Sequence, residues 1–120
     1  MIAEAPILTV DGLTRIHGPG CPRCLDATGD AAGTNVCPHC RSVVAIAGAG
    51  FVLHSGEILG VMGESGSGKS TLVKLLHLED RPTAGSAHYR DHDGVGYDLF
   101  GANAQRQRWL RNHRFGMVHQ

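Results

Sequence analysis

Residues 63–70, Gly-Glu-Ser-Gly-Ser-Gly-Lys-Ser, constrain the fold of this chain more than any other segment. They match the pattern G-x-x-x-x-G-K-[ST] at every fixed position. An apolar run at residues 58–62 precedes them, and a segment with helical periodicity begins at Ser70. Glycines let backbone N–H groups reach phosphate oxygens without a side chain between them, and a helix N-terminus attracts anions. The pattern therefore predicts a buried strand, a phosphate-binding loop and a helix, which is an α/β arrangement.

The side chains of this loop suit a nucleoside triphosphate. We expect Lys69 to place its charge at the β and γ phosphates, and the Ser70 hydroxyl to join the shell of a Mg²⁺ ion. Thr71 is expected to hydrogen-bond to the α phosphate. An accidental glycine-rich loop is disfavoured because strand and helix patterns flank it. The expected nucleotide-binding residues are Gly63, Glu64, Ser65, Gly66, Ser67, Gly68, Lys69, Ser70 and Thr71.

All four cysteines fall within residues 18–41, a segment with little apolar periodicity. Cys21 and Cys24 form one C-x-x-C pair, and Cys37 and Cys40 form another. Two such pairs predict a structural metal site with four thiolate ligands, for which zinc is the first choice. Iron accepts the same ligands and is not distinguished from zinc by the spacing. The same cysteines could also form two disulfides or stay as free thiols, and a cytosolic location disfavours the disulfides.

The remaining pattern predicts a mainly antiparallel sheet and a second helix. We expect a short strand at residues 7–10 that ends in a turn at Asp11-Gly12, and a bent strand at 43–53. The later expected elements are a strand at 87–89, a loop or hairpin at 90–98, a helix capped by Asn103 with Trp109 and Leu110 packed on the core, and a buried strand at 115–119.

Composition excludes several classes of protein. Lysine plus arginine equals aspartate plus glutamate at 11 each, which argues against a general nucleic-acid binder and a basic membrane-surface protein. No apolar run approaches the roughly 20 residues of a membrane helix, and the N-terminus does not resemble a secretory signal. We therefore expect a cytoplasmic protein. The apolar run directly before Gln120 leads us to expect a chain cut short at that end.

Four segments, in order, resemble the N-terminal part of the ATP-binding subunits of the ABC family. Residues 8–14 resemble the first strand, 51–63 the approach to the phosphate loop, 82–85 the turn after the helix, and 115–120 the strand that ends in the Q-loop glutamine. The resemblance implies the N-terminal portion of a P-loop ATPase. In it, residues 1–120 form a truncated nucleotide-binding domain with an antiparallel β subdomain, and residues 18–41 are a metal-knuckle insert.

The resemblance also implies cofactors, partners and roles for single residues. ATP, Mg²⁺ and a head-to-tail dimer or an ABC-type partner subunit are expected. Gln120 would help to hold the magnesium ion or a water molecule. His17 stands where the family usually has an aromatic residue that stacks on adenine. No Walker B acid or signature loop follows, so these 120 residues are not expected to hydrolyse ATP alone.

Within the family, the chain resembles in particular the ATP-binding subunit of the carbon–phosphorus lyase system, which breaks down phosphonates. The features that carry this likeness are the Cys-Pro-x-Cys pairs after the first strand and His119 before Gln120. The likeness implies the lyase core subunits as partners. Two competing functions are the cytoplasmic ATPase of a peptide or nickel importer, and a non-catalytic metal-knuckle adaptor.

Overall fold

The computed structural model describes residues 5–60 and 69–116. Within these residues lie strands β1 (Leu8–His17), β2 (Val43–Leu53), β3 (Ala84–Arg90) and β4 (Gly96–Asp98), and helices α1 (Lys69–Leu76) and α2 (Ala104–His113). The strands form one antiparallel sheet in the order β2-β1-β3-β4. The predicted strand at 43–53 and the hairpin within residues 90–98 are confirmed.

The turn predicted at Asp11-Gly12 is wrong, because β1 continues through both residues as a bulge. Val10 pairs with Phe51 and Leu13 pairs with Ala49, so the register against β2 shifts between these pairs. The φ angle of Gly12 is +60°, a value that glycine adopts without strain. Pairing with strands on both sides carries β1 across a dipeptide that locally favours a turn.

Gly85 in β3 lies close to the backbone of β1. Its φ angle is +95°, and a Cβ atom at this position would lie 2.6 Å from the Cα atom of Leu13. Only glycine lets β3 lie against the bulged part of β1.

The main buried cluster lies between the sheet and the two helices. The apolar stripe predicted for the first helix places Leu72, Leu75 and Leu78 in this cluster, whereas Val73 is 43% exposed. The other buried members are Val10, Leu13, Ala87, Leu99 and Leu110.

Helix α1 ends in a Schellman motif with an unusual residue. The N–H of Leu78 donates to the carbonyl of Leu75 at 3.0 Å, and the N–H of Glu79 donates to the carbonyl of Lys74 at 2.9 Å. These bonds place Leu78 at the position that glycine usually fills, with a φ angle of +62°. Leu78 is only 5% exposed.

Helix α2 begins as predicted and is held at its C-terminal end by two arginines. Asn103 caps it, since its side chain accepts a hydrogen bond from the N–H of Arg106 at 2.8 Å. Arg111 donates to the carbonyl of Leu78 at 2.9 Å, and Arg114 forms an ion pair with Asp91. Leu110 is fully buried, whereas Trp109 is 36% exposed and contacts the sheet through the ring of Tyr97 in β4 rather than through the buried cluster.

The strand predicted at residues 58–62 is absent where the structure describes this segment. Residues 58–60 lie outside any strand, and Ile58 is 98% exposed. A strand buried on both faces needs a neighbour at each edge, and no described strand pairs with these residues. Phe115 and Gly116 also lie outside any strand. Residues 61, 62 and 117–119 of the two expected strands lie outside the described residues.

Candidate functional site

The four cysteine side chains converge on one point. The Sγ atom of Cys21 lies 3.6 Å from that of Cys37, and the Sγ atom of Cys24 lies 3.7 Å from that of Cys21 and 3.4 Å from that of Cys40. All four Sγ atoms lie within 4.8 Å of one another. A tetrahedral zinc ion with Zn–S bonds of about 2.3 Å would separate its sulfurs by about 3.8 Å. The spacing of these thiols fits such an ion.

Backbone hydrogen bonds shape each C-x-x-C pair into a tight turn, here called a knuckle. In the first knuckle (residues 21–24) the N–H of Cys24 bonds to the carbonyl of Cys21 at 3.2 Å. After the second knuckle (residues 37–40) the N–H of Arg41 bonds to the carbonyl of Cys37 at 2.8 Å. The segment that carries both knuckles connects β1 to β2, whose paired ends are His17 and Val43. The hairpin therefore brings distant cysteines together.

Burial and hydrogen bonding give the thiols different acidities. Cys24 and Cys37 are 1% and 0% exposed, and they form a small buried cluster with Val44 that is separate from the main one. Burial raises the pKa of Cys24 to about 12. Hydrogen bonds from Ser42 lower the pKa of Cys40 to about 6. The Sγ separations exceed the roughly 2.0 Å of a disulfide, and the four thiols are free.

Ser42 belongs to this site, although the sequence patterns did not indicate it. Its side chain is 1% exposed, and its Oγ atom accepts a hydrogen bond from the N–H of Gly20 at 2.8 Å. The same Oγ atom lies 3.2 Å from the Sγ atom of Cys40. The one sequence feature that could have indicated Ser42 is its position just after the second knuckle. A single serine at that position matches no metal-binding pattern.

The predicted nucleotide loop is only partly described. Residues 63–68 and Gln120 lie outside the described residues. The helix predicted at the end of the loop motif is confirmed, since α1 includes Lys69 and Ser70, the last two residues of the motif. Ser70 is exposed and Thr71 is half-buried in its first turn.

His17 lies exposed at the end of β1, where the chain meets the turn that follows α1. The N–H of Ile16 donates to the hydroxyl of Thr83 at 2.8 Å, and Arg15 forms an ion pair with Asp80 at 2.9 Å. The N–H of Thr83 donates to the carbonyl of Thr14 at 2.7 Å. These contacts fix the backbone beside His17, whose contact with adenine stays a prediction.

Asp91 is the most buried carboxylate among the described residues, at 2% exposed. Arg114 Nε lies 2.9 and 3.0 Å from its two carboxylate oxygens, and the Tyr89 hydroxyl donates to it at 2.8 Å. Burial raises the pKa of Asp91, but the hydrogen bonds from Arg114, Tyr89 and the N–H of His92 outweigh burial and hold this pKa well below its ordinary range. Sequence patterns missed this pair because its members lie far apart in the chain. It joins α2 to β3.

Known proteins resemble this chain over most of its length. The pyoverdine export ATP-binding/permease protein PvdT of Pseudomonas aeruginosa is 41% identical over 78 residues, which cover 65% of this chain and 11% of that protein. The phosphonates utilization ATP-binding protein PhnK of Escherichia coli is 31% identical over 115 residues, which cover 96% of this chain and 34% of that protein. The chain thus spans about a tenth to a third of the length of these relatives.

A solved structure shows the same fold. MJ0796, described as a bacterial ABC transporter cassette in a dimeric structure, aligns with a TM-score of 0.65 and 20% identity. The alignment covers 94% of this chain and 38% of that chain. The P-loop ATPase fold expected from the sequence is confirmed. In the part of the chain that the structure describes, no helix has the length and apolar character needed to cross a membrane.

The family model described as ABC transporter matches residues 46–120. This match includes the whole loop motif, helix α1 and the later strands, and it extends over more than half of the chain. The chain therefore belongs to the ABC transporter family, as part of its ATP-binding cassette.

Proposed function

We propose that the chain binds Mg-ATP through residues 63–71. The observation that carries this proposal is that helix α1 includes Lys69 and Ser70, the last two residues of a complete G-x-x-x-x-G-K-[ST] motif inside the family match. A helix at this point directs its N-terminal N–H groups towards the loop, where phosphate oxygens would lie. The Lys69 ammonium group would add charge at the β and γ phosphates, and Ser70 would bind the magnesium ion.

Two residues outside the loop would complete this site. We propose that the His17 ring stacks on adenine at the end of β1, and that Gln120 helps to hold Mg²⁺ or a water molecule. A protein that uses ATP needs the nucleotide pool of the cell interior, so we also propose a cytoplasmic location.

Lys69→Ala tests the nucleotide site. We expect Mg-ATP affinity to fall by at least about 100-fold, because hydrogen bonds to charged groups contribute about 1.5–3 kcal/mol each and Lys69 supplies charge to two phosphates. Calorimetric titration with Mg-ATP measures the affinity. Lys74→Ala is the matched control, since Lys74 is exposed on the same helix. Equal affinity of the Lys69 variant and the wild type would reject the site and would favour the adaptor function.

We propose that ATP hydrolysis requires a head-to-tail dimer of complete cassettes. These 120 residues contain no acid that follows an apolar strand in the manner of Walker B, so they would bind ATP without turnover. Phosphate-release assays on this chain check the point. Steady turnover that disappears in Lys69→Ala would show that the catalytic acid lies within these residues.

We propose the carbon–phosphorus lyase system as the assembly that this subunit serves. The position of the cysteine pairs after the first strand supports this choice, and PhnK is one of several relatives with which the similarity is shared. The similarity to PvdT, whose name indicates export, makes a transporter the competing assembly. Purification of the tagged full-length protein from its own host distinguishes the two. Recovery of lyase core subunits supports the proposal, whereas recovery of a membrane permease contradicts it.

We further propose that Cys21, Cys24, Cys37 and Cys40 bind one Zn²⁺ ion. The convergence of four Sγ atoms that all lie within 4.8 Å of one another supports the site. A closed site with four thiolates is structural and supplies folding free energy rather than catalysis.

Metal analysis of purified protein tests this centre. We expect about one zinc per chain in the wild type and almost none in Cys37→Ser. His39→Ala is the matched control, because His39 is exposed within the second knuckle and is not a proposed ligand. A colourless protein with zinc excludes iron as the bound metal. A wild-type chain without metal would reject the centre.

A further inference from the structure

We propose that Ser42 is the positioning residue of the metal centre, and that its hydroxyl group holds the two knuckles together and donates a hydrogen bond to the metal-bound thiolate of Cys40. The inference rests on the zinc centre proposed above. It assigns a function to a buried hydroxyl group that the ligand set does not use.

The hydrogen-bonding capacity of Ser42 fixes the direction of each bond. A hydroxyl group has one hydrogen and two acceptor lone pairs. The N–H of Gly20 donates to Oγ at 2.8 Å, so one lone pair is used and the hydroxyl hydrogen remains available. With Cys40 as a free thiol, its S–H group donates to the same Oγ atom at 3.2 Å. A metal-bound Cys40 has no S–H hydrogen and accepts only, so the hydroxyl group donates to it.

Ser42 contacts both knuckles. Gly20 precedes the first knuckle, and Cys40 closes the second. The backbone of Ser42 adds another bond, because its carbonyl accepts from the N–H of Cys37 at 2.8 Å. A single residue thus fixes the relative position of two ligand pairs that lie far apart in sequence.

The surroundings of Ser42 leave no room for a side chain at Gly18 or for water. A Cβ atom at Gly18 would lie 2.6 Å from Ser42 Oγ and 3.1 Å from its Cα atom. The φ angle of Gly18 is +119°, which disfavours any side chain there. With Ser42 at 1% exposed, water does not compete for its hydroxyl hydrogen. This packing predicts one fixed orientation of the hydroxyl group.

Groups that orient metal ligands typically contribute 10- to 100-fold to metal affinity. We therefore expect Ser42→Ala to weaken binding by about 10- to 100-fold while the four thiolates still bind one ion. Loss of a hydrogen bond raises the electron density on the Cys40 sulfur. In the cobalt-substituted protein, this change moves the thiolate-to-metal charge-transfer band to lower energy.

Thr28→Ala is the matched control. The Thr28 hydroxyl group belongs to the same insert, but it bonds to the carbonyl of Cys24 at 2.7 Å and not to a sulfur. Its removal should leave the charge-transfer band of the cobalt protein unchanged, even if the insert is destabilised.

The experiment titrates the full chain and both variants with Zn²⁺ against a competing chelator, and records the cobalt spectra. Weaker binding with a shifted band in Ser42→Ala alone supports the proposal. Wild-type affinity and an unshifted band in Ser42→Ala would overturn it. A wild-type chain that binds no metal would instead reject the centre itself.

Cadmium NMR provides a measurement that needs no variant. In the cadmium-loaded wild type, we expect scalar coupling between the Ser42 hydroxyl hydrogen and the metal through the Cys40 sulfur. A hydroxyl resonance without this coupling, in a chain that does hold cadmium, would also overturn the assignment.

Discussion

Leu78 adopts a backbone conformation that costs a non-glycine residue about 1 kcal/mol or more. Its φ angle is +62°, and its side chain is buried among the leucines of the main cluster. The free energy gained by burying a leucine side chain, about 1.5–3 kcal/mol, exceeds that cost. At Leu78, the free energy gained by core packing therefore offsets the backbone strain of helix termination.

Replacement of Leu78 by alanine or glycine separates these two contributions. Leu78→Ala should lower the free energy of unfolding by about 2–4 kcal/mol, because the side chain is lost and the strain stays. Leu78→Gly loses the same packing but relieves the strain, so we expect it to be at least as stable as the alanine variant. Urea unfolding measures both. At Ala87, which is buried in β3, glycine should instead destabilise the chain. A free energy of unfolding for Leu78→Gly well below that of Leu78→Ala would contradict this account.

The buried pair of Asp91 and Arg114 predicts how stability depends on pH. The pKa of Asp91 is held below its ordinary value of 3.8, so its ionised form favours the folded state. That contribution is complete above about pH 5 and is lost as the pH falls through the ordinary pKa towards the lower pKa of the folded state. We expect the melting temperature to fall on acidification through this range.

Asp91→Asn tests the contribution at neutral pH. The variant leaves the Arg114 charge without its partner, so we expect its melting temperature to fall by about 5 °C or more and to change less with acid than that of the wild type. Asp93→Asn is the matched control, because Asp93 is exposed nearby. If the melting temperatures of the wild type and Asp91→Asn fall by the same amount on acidification, the assignment is contradicted.

Pairing between β1 and β3 depends on the glycine at position 85. Gly85→Ala would place a Cβ atom against the Leu13 backbone, so we expect a loss of about 3 kcal/mol or more, from steric overlap added to the cost of a positive φ angle. Gly94→Ala is the matched control, since its φ angle of +87° carries similar strain but its Cβ position is open. Thermal unfolding compares them, and equal losses would show that the close approach is unimportant.

Elements with local signals could be predicted from the sequence. Asn103 caps α2 through its own side chain, and helix α1 follows from the loop motif whose last two residues it includes. The cysteine cluster was also predictable, because C-x-x-C spacing brings two thiols together in each turn.

Features that depend on tertiary pairing were not predictable. The bulge at Gly12 forms because β2 and β3 hold β1 on both sides, and no local signal shows this. Ile58 was expected to be buried by strands that the described sheet does not contain. Ser42 and the partners of Asp91 were missed, because a hydrogen-bond partner far along the chain leaves no periodic pattern.

Residues 5–60 and 69–116 contain two separate buried clusters, and this separation predicts a local response to metal removal. Cys24, Cys37 and Val44 form the smaller cluster, which the proposed zinc ion would complete. A chelator should speed hydrogen exchange by about tenfold or more at residues 20–42 and leave Leu13 and Ala87 protected in the main cluster.

Hydrogen exchange followed by mass spectrometry measures this response with and without chelator. Cys37→Ser should reproduce the pattern without chelator. An equal rise in exchange along the whole chain would contradict independent folding of the two clusters.

The place of the cysteine segment in the hairpin also bears on how such proteins change. Its two ends leave the sheet at His17 and Val43, which face each other as a pair. A short turn could join the same two positions because they are paired neighbours in the sheet. The longer cysteine segment costs little more than such a turn, since the entropic cost of closing a loop rises only slowly with its length. We infer that the whole cysteine segment can be inserted or deleted at this end of the hairpin during evolution while every strand keeps its register.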